Sequence, residues 1–124
     1  MLTLPSTVQI FISVDPVDLR KGFNGLSAIV REVMRKDPLS GHLFCFINRR
    51  RDRAKILLFD RGGYWIFYRR LERGTFKPPQ PADELYVQME APELSLLLEG
   101  IDLAGAKRRP RWRPPVRASQ FALQ

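Results

Sequence analysis

Short runs of apolar residues separated by polar turns fill the middle of the chain, from residue 43 to residue 71. Three of these runs are rich in β-branched and aromatic side chains, and they span residues 43–47, 54–59 and 64–68. The turns between them contain Asn, Asp, Gly and several arginines. Such clusters between apolar runs are typical of β-hairpins. The pattern therefore predicts a three-stranded antiparallel meander.

A strand and a helix are predicted before the meander. Residues 8–14 are rich in β-forming side chains, and Pro16 ends that strand because proline cannot donate to a sheet ladder. Apolar residues then recur at spacings of three and four, which is typical of an amphipathic helix: Leu19, Phe23, Leu26, Val30 and Val33. Asp18 is a candidate N-cap. Because two glycines weaken the first half, the main helix is expected over residues 25–36 with Asn24 as its cap.

Another strand and another helix are predicted after the meander. A proline-rich connector leads to a predicted edge strand over residues 85–89. The following helix has a proline in its first turn and stops at Gly100. The order strand, helix, meander, strand, helix predicts an α+β fold with a mainly antiparallel sheet. We expect one domain over residues 1–103 and a basic, disordered tail over residues 104–124.

Both faces of the predicted meander are apolar, so each face needs a cover. A sheet with one solvated face would alternate apolar with polar residues, and the second run does not. The first helix can cover one face. The other needs the C-terminal helix, a partner chain or a stacking ligand. The third run carries four aromatic residues, Tyr64, Trp65, Phe67 and Tyr68. We expect most of them to be core, although exposed aromatics on a sheet can stack on single-stranded nucleic acids.

Charge is segmented along the chain, whose net charge is +8. Residues 49–73 hold nine basic and three acidic side chains, and residues 104–124 hold six basic and none acidic. Between them, residues 74–103 hold one basic and six acidic side chains. Basic blocks of this kind favour a polyanionic partner, above all nucleic acid. The alternative is a solvated surface that promotes solubility.

Catalytic chemistry finds little support in the sequence. The chain has one histidine, His42, and one cysteine, Cys45, which indicates neither a metal cluster nor a nucleophile–His–acid arrangement. Cys45 lies in an apolar run and is expected to be a buried thiol in a reducing cytoplasm. Asp15, Asp18 and Asp60 could hold the cations of a nuclease if they converged, but each also suits a local role in a turn or cap. No cofactor motif and no apolar stretch long enough to cross a membrane is found.

Arginine carries the strongest functional signal, because guanidinium groups bind phosphates through paired hydrogen bonds and need no deep pocket. The principal candidates lie in the first turn of the meander: Arg49, Arg50, Arg51 and Arg53. The end of the third strand adds Arg69, Arg70 and Arg73. The tail adds Lys107, Arg108, Arg109, Arg111 and Arg113. No helix-turn-helix or zinc finger is recognisable, so the prediction is contact with the phosphate backbone at low sequence specificity.

Four motifs resemble a known family. They are DPVDLRK at residues 15–21, DPLSGHLF at 37–44, NRR at 48–50 and LLEGID at 97–102. In this order they resemble the small accessory protein, often called TnpB, of the bacterial insertion-sequence 66 family, up to about residue 113. The turn at 48–53 lacks the glycine that relatives often carry near its middle. The resemblance implies an accessory role in transposition beside a separate, larger transposase, and it identifies no catalytic residue.

The sequence thus predicts a non-enzymatic, cytoplasmic accessory factor that binds DNA and helps to assemble a complex with its transposase. The alternative is a protein-interaction module that binds the transposase, or a second copy of itself, without contacting DNA. A small metal-dependent nuclease is a third hypothesis. No cofactor is expected.

Overall fold

The computed structural model describes residues 7–102, so the predicted tail and its basic side chains lie outside the described residues. Five strands and two helices follow one another as β1 (Ile10–Ser13), α1 (Phe23–Glu32), β2 (Leu43–Ile47), β3 (Arg53–Asp60), β4 (Gly63–Arg70), β5 (Tyr86–Met89) and α2 (Ala91–Leu98). The predicted α+β class and element order are confirmed. Within this range no helix has both the length and the apolar character needed to cross a bilayer.

The strands form one sheet with the order β4-β3-β2-β1-β5. β1 and β2 run parallel and are connected through α1, whereas the other neighbouring strands are antiparallel. The antiparallel meander β2-β3-β4 and the mainly antiparallel character of the sheet are therefore confirmed. Because β1 and β2 point the same way, the turns that follow them leave the sheet at the same end.

Each face of the sheet has its own hydrophobic core, because successive residues of a strand point to opposite faces. Phe44 and Phe46 of β2 pack on the side of α1, whose Leu26 and Val30 are fully buried. Cys45, between the two phenylalanines in sequence, packs on the opposite side, together with Leu94 and Leu97 of α2 and Phe76 of the connector. The expectation of a cover on both faces is confirmed for β2 and β3, and the second cover is the C-terminal helix.

Burial accounts for the chemistry of the single cysteine. Cys45 is fully buried, and desolvation raises the pKa of its thiol to about 12. The thiol is therefore protonated at neutral pH, and thiolate chemistry is suppressed. The predicted buried thiol is confirmed.

The start of α1 differs from the sequence prediction. The N-cap is Gly22, and no side chain caps the helix. Asn24 lies within the first turn, and Asp18 instead accepts the backbone N–H of Arg20 at 3.0 Å in the preceding turn. Both predicted caps, Asp18 and Asn24, are therefore wrong. Packing of the apolar helix face on the sheet determines where the helix begins, and this overrides the local preference for a capping side chain.

α2 begins and ends with local signals that the sequence carries. Glu90 and Glu93 form a reciprocal capping box at its N-terminus, with a proline in the first turn. Gly100 follows the C-terminus at a φ of 79°, a left-handed conformation that glycine adopts without steric cost. The predicted stop at Gly100 is confirmed.

β4 is the outer strand on the meander side, and its aromatic residues are incompletely covered. Trp65, Phe67 and Tyr68 are 54%, 40% and 53% exposed. Trp65 and Phe67 lie on the α2 side of the sheet but belong to neither hydrophobic core, because that core is built from more central strands. The expectation that most of the aromatic residues in this strand are core is therefore wrong. Tyr64 is the exception, since it is half-buried and packs against the core under α1.

Candidate nucleic-acid interface

A basic groove opens at the end of the sheet where β1 and β2 finish. The turn after β1 and the turn after β2 form its walls, and side chains of β3 and β4 complete it. It is an open cleft of about 900 Å³. The residues that line it, called the basic groove below, are Pro16, Val17, Asp18, Leu19, Arg20, Asn48, Arg49, Arg50, Arg53, Lys55 and Tyr68. Five of these side chains are basic and one is acidic, so the groove attracts anions.

The wall after β2 is a turn fixed by the side chain of Asn48. Its Oδ1 accepts the backbone N–H groups of Asp52 and Arg53, each at 3.0 Å, and its Nδ2 donates to Asp52 Oδ1 at 2.7 Å. The hydrogen bond from Asn48 lowers the pKa of Asp52. With the turn fixed in this way, Arg49 and Arg50 project from it as exposed groove residues.

Arg51 has a backbone role in the same turn. Its φ is 61°, and its carbonyl oxygen accepts the N–H of Phe76 at 2.7 Å. This contact ties the turn to the connector after β4. Arg51 is not among the residues that line the groove, so the structure separates it from Arg49, Arg50 and Arg53.

The wall after β1 contributes a basic residue that sequence reasoning missed. Arg20 donates from Nε to both Asp18 carboxylate oxygens at 3.0 Å and from Nη2 to Oδ2 at 2.6 Å. These hydrogen bonds hold the pKa of Asp18 well below its usual range. The Arg20 side chain is nevertheless 91% exposed and remains accessible to a ligand.

Lys55 and Tyr68 form the inner part of the groove. Lys55 Nζ donates to the Lys21 carbonyl at 3.0 Å and lies 4.9 Å from the centroid of the Tyr68 ring. Arg53 Nη1 donates to the Tyr68 hydroxyl at 3.2 Å. Lys55 was also missed by sequence reasoning. Its signal is a single charged residue within an otherwise apolar strand, on the face that it shares with Leu57 and Phe59.

The other predicted arginines of the described residues lie outside the groove. Arg69 donates from Nε to the Leu98 carbonyl at 2.9 Å and approaches Glu99 at 3.4 Å, so it ties β4 to the end of α2. Arg70 pairs with Glu72 at 2.8 Å, and this contact raises the pKa of Arg70. Arg73 is exposed beyond the end of β4.

The three carboxylates considered for a nuclease do not converge. Asp15 and Asp18 follow β1, whereas Asp60 ends β3, which runs antiparallel to β2 and therefore finishes at the opposite end of the sheet. Across residues 7–102, no three His, Cys, Asp or Glu side chains are close enough to hold a metal ion together. The arrangement that the nuclease hypothesis required is thus not formed by these residues.

Comparison with known proteins agrees with the sequence motifs. The family described as IS66 Orf2 like protein matches residues 8–108. The uncharacterized protein y4jC of Sinorhizobium fredii is 36% identical over 107 residues, which cover 86% of this chain and 91% of that protein. The uncharacterized protein y4hO of the same organism is 36% identical over 116 residues, which cover 92% of this chain and 96% of that protein. No solved structure matches the chain significantly.

The family match includes every strand and helix of the fold and both walls of the basic groove. The resemblance carried by the four sequence motifs is therefore confirmed. Members of this family have an accessory role in insertion-sequence transposition. The chain belongs to the IS66 Orf2-like family.

Proposed function

We propose that the protein acts in transposition as a non-enzymatic factor that binds the DNA phosphate backbone through its basic groove, beside a separate transposase. One observation carries this proposal: five basic side chains from two turns and a strand converge on one open groove. Such a cluster is the electrostatic footprint of a nucleic-acid-binding surface. The groove is open and presents no recognisable base-reading element, which favours low sequence specificity.

The groove arginines keep donors available for phosphate. A guanidinium group has five N–H donors, and Arg53 uses one of them for the Tyr68 hydroxyl. Arg49 and Arg50 are exposed, and Arg20 can exchange its carboxylate partner for a phosphate oxygen. Lys55 adds a point charge inside the groove. We therefore assign the principal phosphate contacts to the groove.

Auxiliary contacts are assigned to the remaining basic residues of the sequence prediction. Arg51, Arg69, Arg70 and Arg73 lie outside the groove lining, and the guanidinium groups of Arg69 and Arg70 already have partners within the protein. Their contribution is expected to be smaller. The basic tail residues stay candidates on the strength of the sequence alone.

The test is fluorescence anisotropy with a labelled duplex over a series of salt concentrations. We compare the wild type with a triple variant, Arg49→Ala, Arg50→Ala and Arg53→Ala. Each lost phosphate contact flattens the slope of log K against log [salt] by about 0.9, so three contacts change it by about 2.7. The affinity of the triple variant at low salt should fall by at least about tenfold.

A matched control removes the same charge elsewhere: Arg31→Ala, Arg35→Ala and Arg61→Ala are all at exposed positions outside the groove. Its slope should stay within about one of the wild type. Equal losses in the two triple variants would show that net charge alone drives binding. Affinity of the wild type that does not respond to salt would overturn the proposal.

The alternative function, a protein-interaction module without DNA contact, is favoured by the exposed aromatic residues Trp65 and Phe67. Capture of the purified transposase on the immobilised wild-type chain distinguishes this function from the DNA-binding one. If the wild type shows no salt-sensitive binding to the duplex while Trp65→Lys with Phe67→Lys loses the transposase, the alternative replaces the proposal above.

A further inference from the structure

β4 leaves one long edge of the sheet open. It pairs with β3 along its full length, from Arg70 opposite Arg53 to Gly63 opposite Asp60. Among residues 7–102, no segment pairs with its outer side. The edge at the other side of the sheet is β5, which is four residues long, whereas β4 has eight. Short edge strands avoid pairing with other chains, and β4 lacks that protection.

Most of β4 also lacks the other usual protections of an edge, since its charged side chains, Arg69 and Arg70, lie only at its end. Residues 64–68 contain no proline and no charged side chain, and the register with β3 continues without a bulge. Natural proteins use such features to prevent edge-to-edge association. Their absence from residues 64–68 suggests that this part of the edge is used for pairing.

The backbone groups that face outward can be identified from the hairpin geometry. Arg61 and Gly62 have φ values of 50° and 84°, which is the pattern of a two-residue type I′ turn. Leu71 donates its N–H to the Asp52 carbonyl at 2.8 Å, so odd-numbered residues of this segment bond to β3. Since hydrogen-bonding direction alternates along a strand, the N–H and C=O groups that face outward belong to Tyr64, Ile66, Tyr68 and Arg70.

The side chains beside this edge are aromatic and half exposed. Trp65 and Phe67 lie stacked on the α2 side, with ring centroids 6.2 Å apart and an angle of 14° between the rings. Tyr68 is 53% exposed on the α1 side. The open backbone edge is thus flanked by an apolar pair on the α2 side and by the Tyr68 ring, at the rim of the basic groove, on the α1 side.

We propose that β4 pairs antiparallel with β4 of a second copy of this chain, with Ile66 opposite Ile66. In this register Trp65 lies opposite Phe67 of the second copy, on the α2 side. Tyr64 lies opposite Tyr68 of the second copy, on the α1 side. Cross-strand aromatic pairs stabilise antiparallel sheets, and the outward N–H and C=O groups of Ile66 then bond to their equivalents.

The register is selected by the distribution of charge. With Ile66 opposite Ile66, all five residues from 64 to 68 face one another, and Arg69 faces Gly63 of the second copy. A shift by two residues leaves only three of these residues facing one another, and it places Arg69 opposite Trp65 in one direction or opposite Arg61 in the other. A strand from an unrelated partner has no reason to match this spacing, whereas a second copy matches it by symmetry.

The buried area indicates a weak, concentration-dependent dimer. A fully buried aromatic side chain covers about 150–250 Å², so the half-exposed rings of Trp65 and Phe67 contribute about 200 Å² per copy. The two copies together thus bury about 400 Å² of aromatic surface in addition to the paired backbone, at the low end of specific interfaces. Association in the micromolar range is expected.

Sedimentation velocity on the full chain tests the pairing, from about 1 to 300 µM, a range that brackets weak interfaces. The wild type should shift from monomer to dimer. The variant Trp65→Lys with Phe67→Lys, and the variant Trp65→Glu with Phe67→Glu, should each remain monomeric, with association weakened at least tenfold. An equimolar mixture of the two variants should dimerise again, because position 65 of one copy faces position 67 of the other.

Two exposed leucines provide the matched control, since Leu39 and Leu85 are 54% and 52% exposed and lie outside β4. Leu39→Lys with Leu85→Lys should dimerise as the wild type does. Circular dichroism establishes that every variant is folded. A wild type that stays monomeric throughout, a lysine variant that still dimerises, or a mixture that fails to recover the dimer would overturn the proposal. None of these results depends on DNA binding.

Discussion

At the scale of the residue, the ion pair between Asp18 and Arg20 lowers the positive charge that the groove presents to a ligand. The Arg20 guanidinium makes three hydrogen bonds to the Asp18 carboxylate, and these lower the pKa of Asp18. A carboxyl group with a lowered pKa stays ionised throughout the physiological pH range. Asp18 is the one acidic residue that lines the groove, so it opposes the binding of phosphate.

Asp18→Asn should therefore strengthen DNA binding. The substitution removes the negative charge from the groove and releases Arg20 for a phosphate oxygen. At low salt we expect affinity to rise by about threefold or more, and the gain should shrink as salt screens the charges. Anisotropy with the same labelled duplex at low and high salt measures both effects.

Asp15→Asn is the control at the residue scale, because Asp15 is exposed three positions earlier and does not line the groove. It changes the net charge equally. If the two variants bind DNA with equal affinity, the position of Asp18 has no special effect and the groove is not the phosphate site. Weaker binding by Asp18→Asn would show that the carboxylate positions Arg20 for its ligand.

At the scale of the element, the turn between β2 and β3 depends on one side chain. Asn48 satisfies two backbone N–H groups and donates to Asp52, and no hydrophobic contact can replace these bonds. The same turn carries two of the groove arginines, Arg49 and Arg50, and leads into a third, Arg53, at the start of β3. If the groove binds DNA as proposed, stability and DNA binding should be coupled through Asn48.

Asn48→Ala should lower the free energy of unfolding by about 1–3 kcal/mol, because two backbone donors lose their acceptor. It should also weaken DNA binding several-fold, since Arg49 and Arg50 lose their fixed position. Urea denaturation and anisotropy measure the two effects. Asn24→Ala, on an exposed position of α1, is the control and should change stability by less than about 0.5 kcal/mol. Equal urea midpoints for the two variants would contradict this account of the turn.

Elements with strong local signals could be predicted from the sequence, whereas the pairing of distant strands and their positions in the sheet could not. β2 was predicted at its observed bounds, and Gly100 ends α2 as expected, because an apolar run and a left-handed glycine are local features. The parallel pairing of β1 with β2 is a long-range contact, so no local pattern indicates that Arg20 and Arg49 line the same groove. Likewise, the parity of residues in β4 indicates two apolar faces but does not reveal that the strand lies at an edge.

At the scale of the whole molecule, the proposed pairing would join two copies into one continuous sheet, with both basic grooves on its α1 face. A two-fold axis perpendicular to the sheet keeps the α1 faces together. Each groove lies about two strands inward from β4 and about four residues from Ile66 along the strand. With strands about 4.8 Å apart and a rise of about 3.4 Å per residue, the grooves are roughly 35 Å apart. That separation is close to one turn of B-DNA, about 34–36 Å.

The length of the DNA should consequently matter more for the dimer than for the monomer. Lengthening a duplex from about 10 to about 25 base pairs should raise the wild-type affinity by more than about tenfold, because the second groove then binds at high effective concentration. For Trp65→Lys with Phe67→Lys, the gain should stay near the threefold or so expected from additional overlapping sites. The added lysines would by themselves strengthen DNA binding, so a smaller gain in this variant cannot come from lost charge. Anisotropy at one fixed salt concentration measures the gain in affinity for each protein. An equal gain in both proteins would mean that the two grooves do not bind one duplex together.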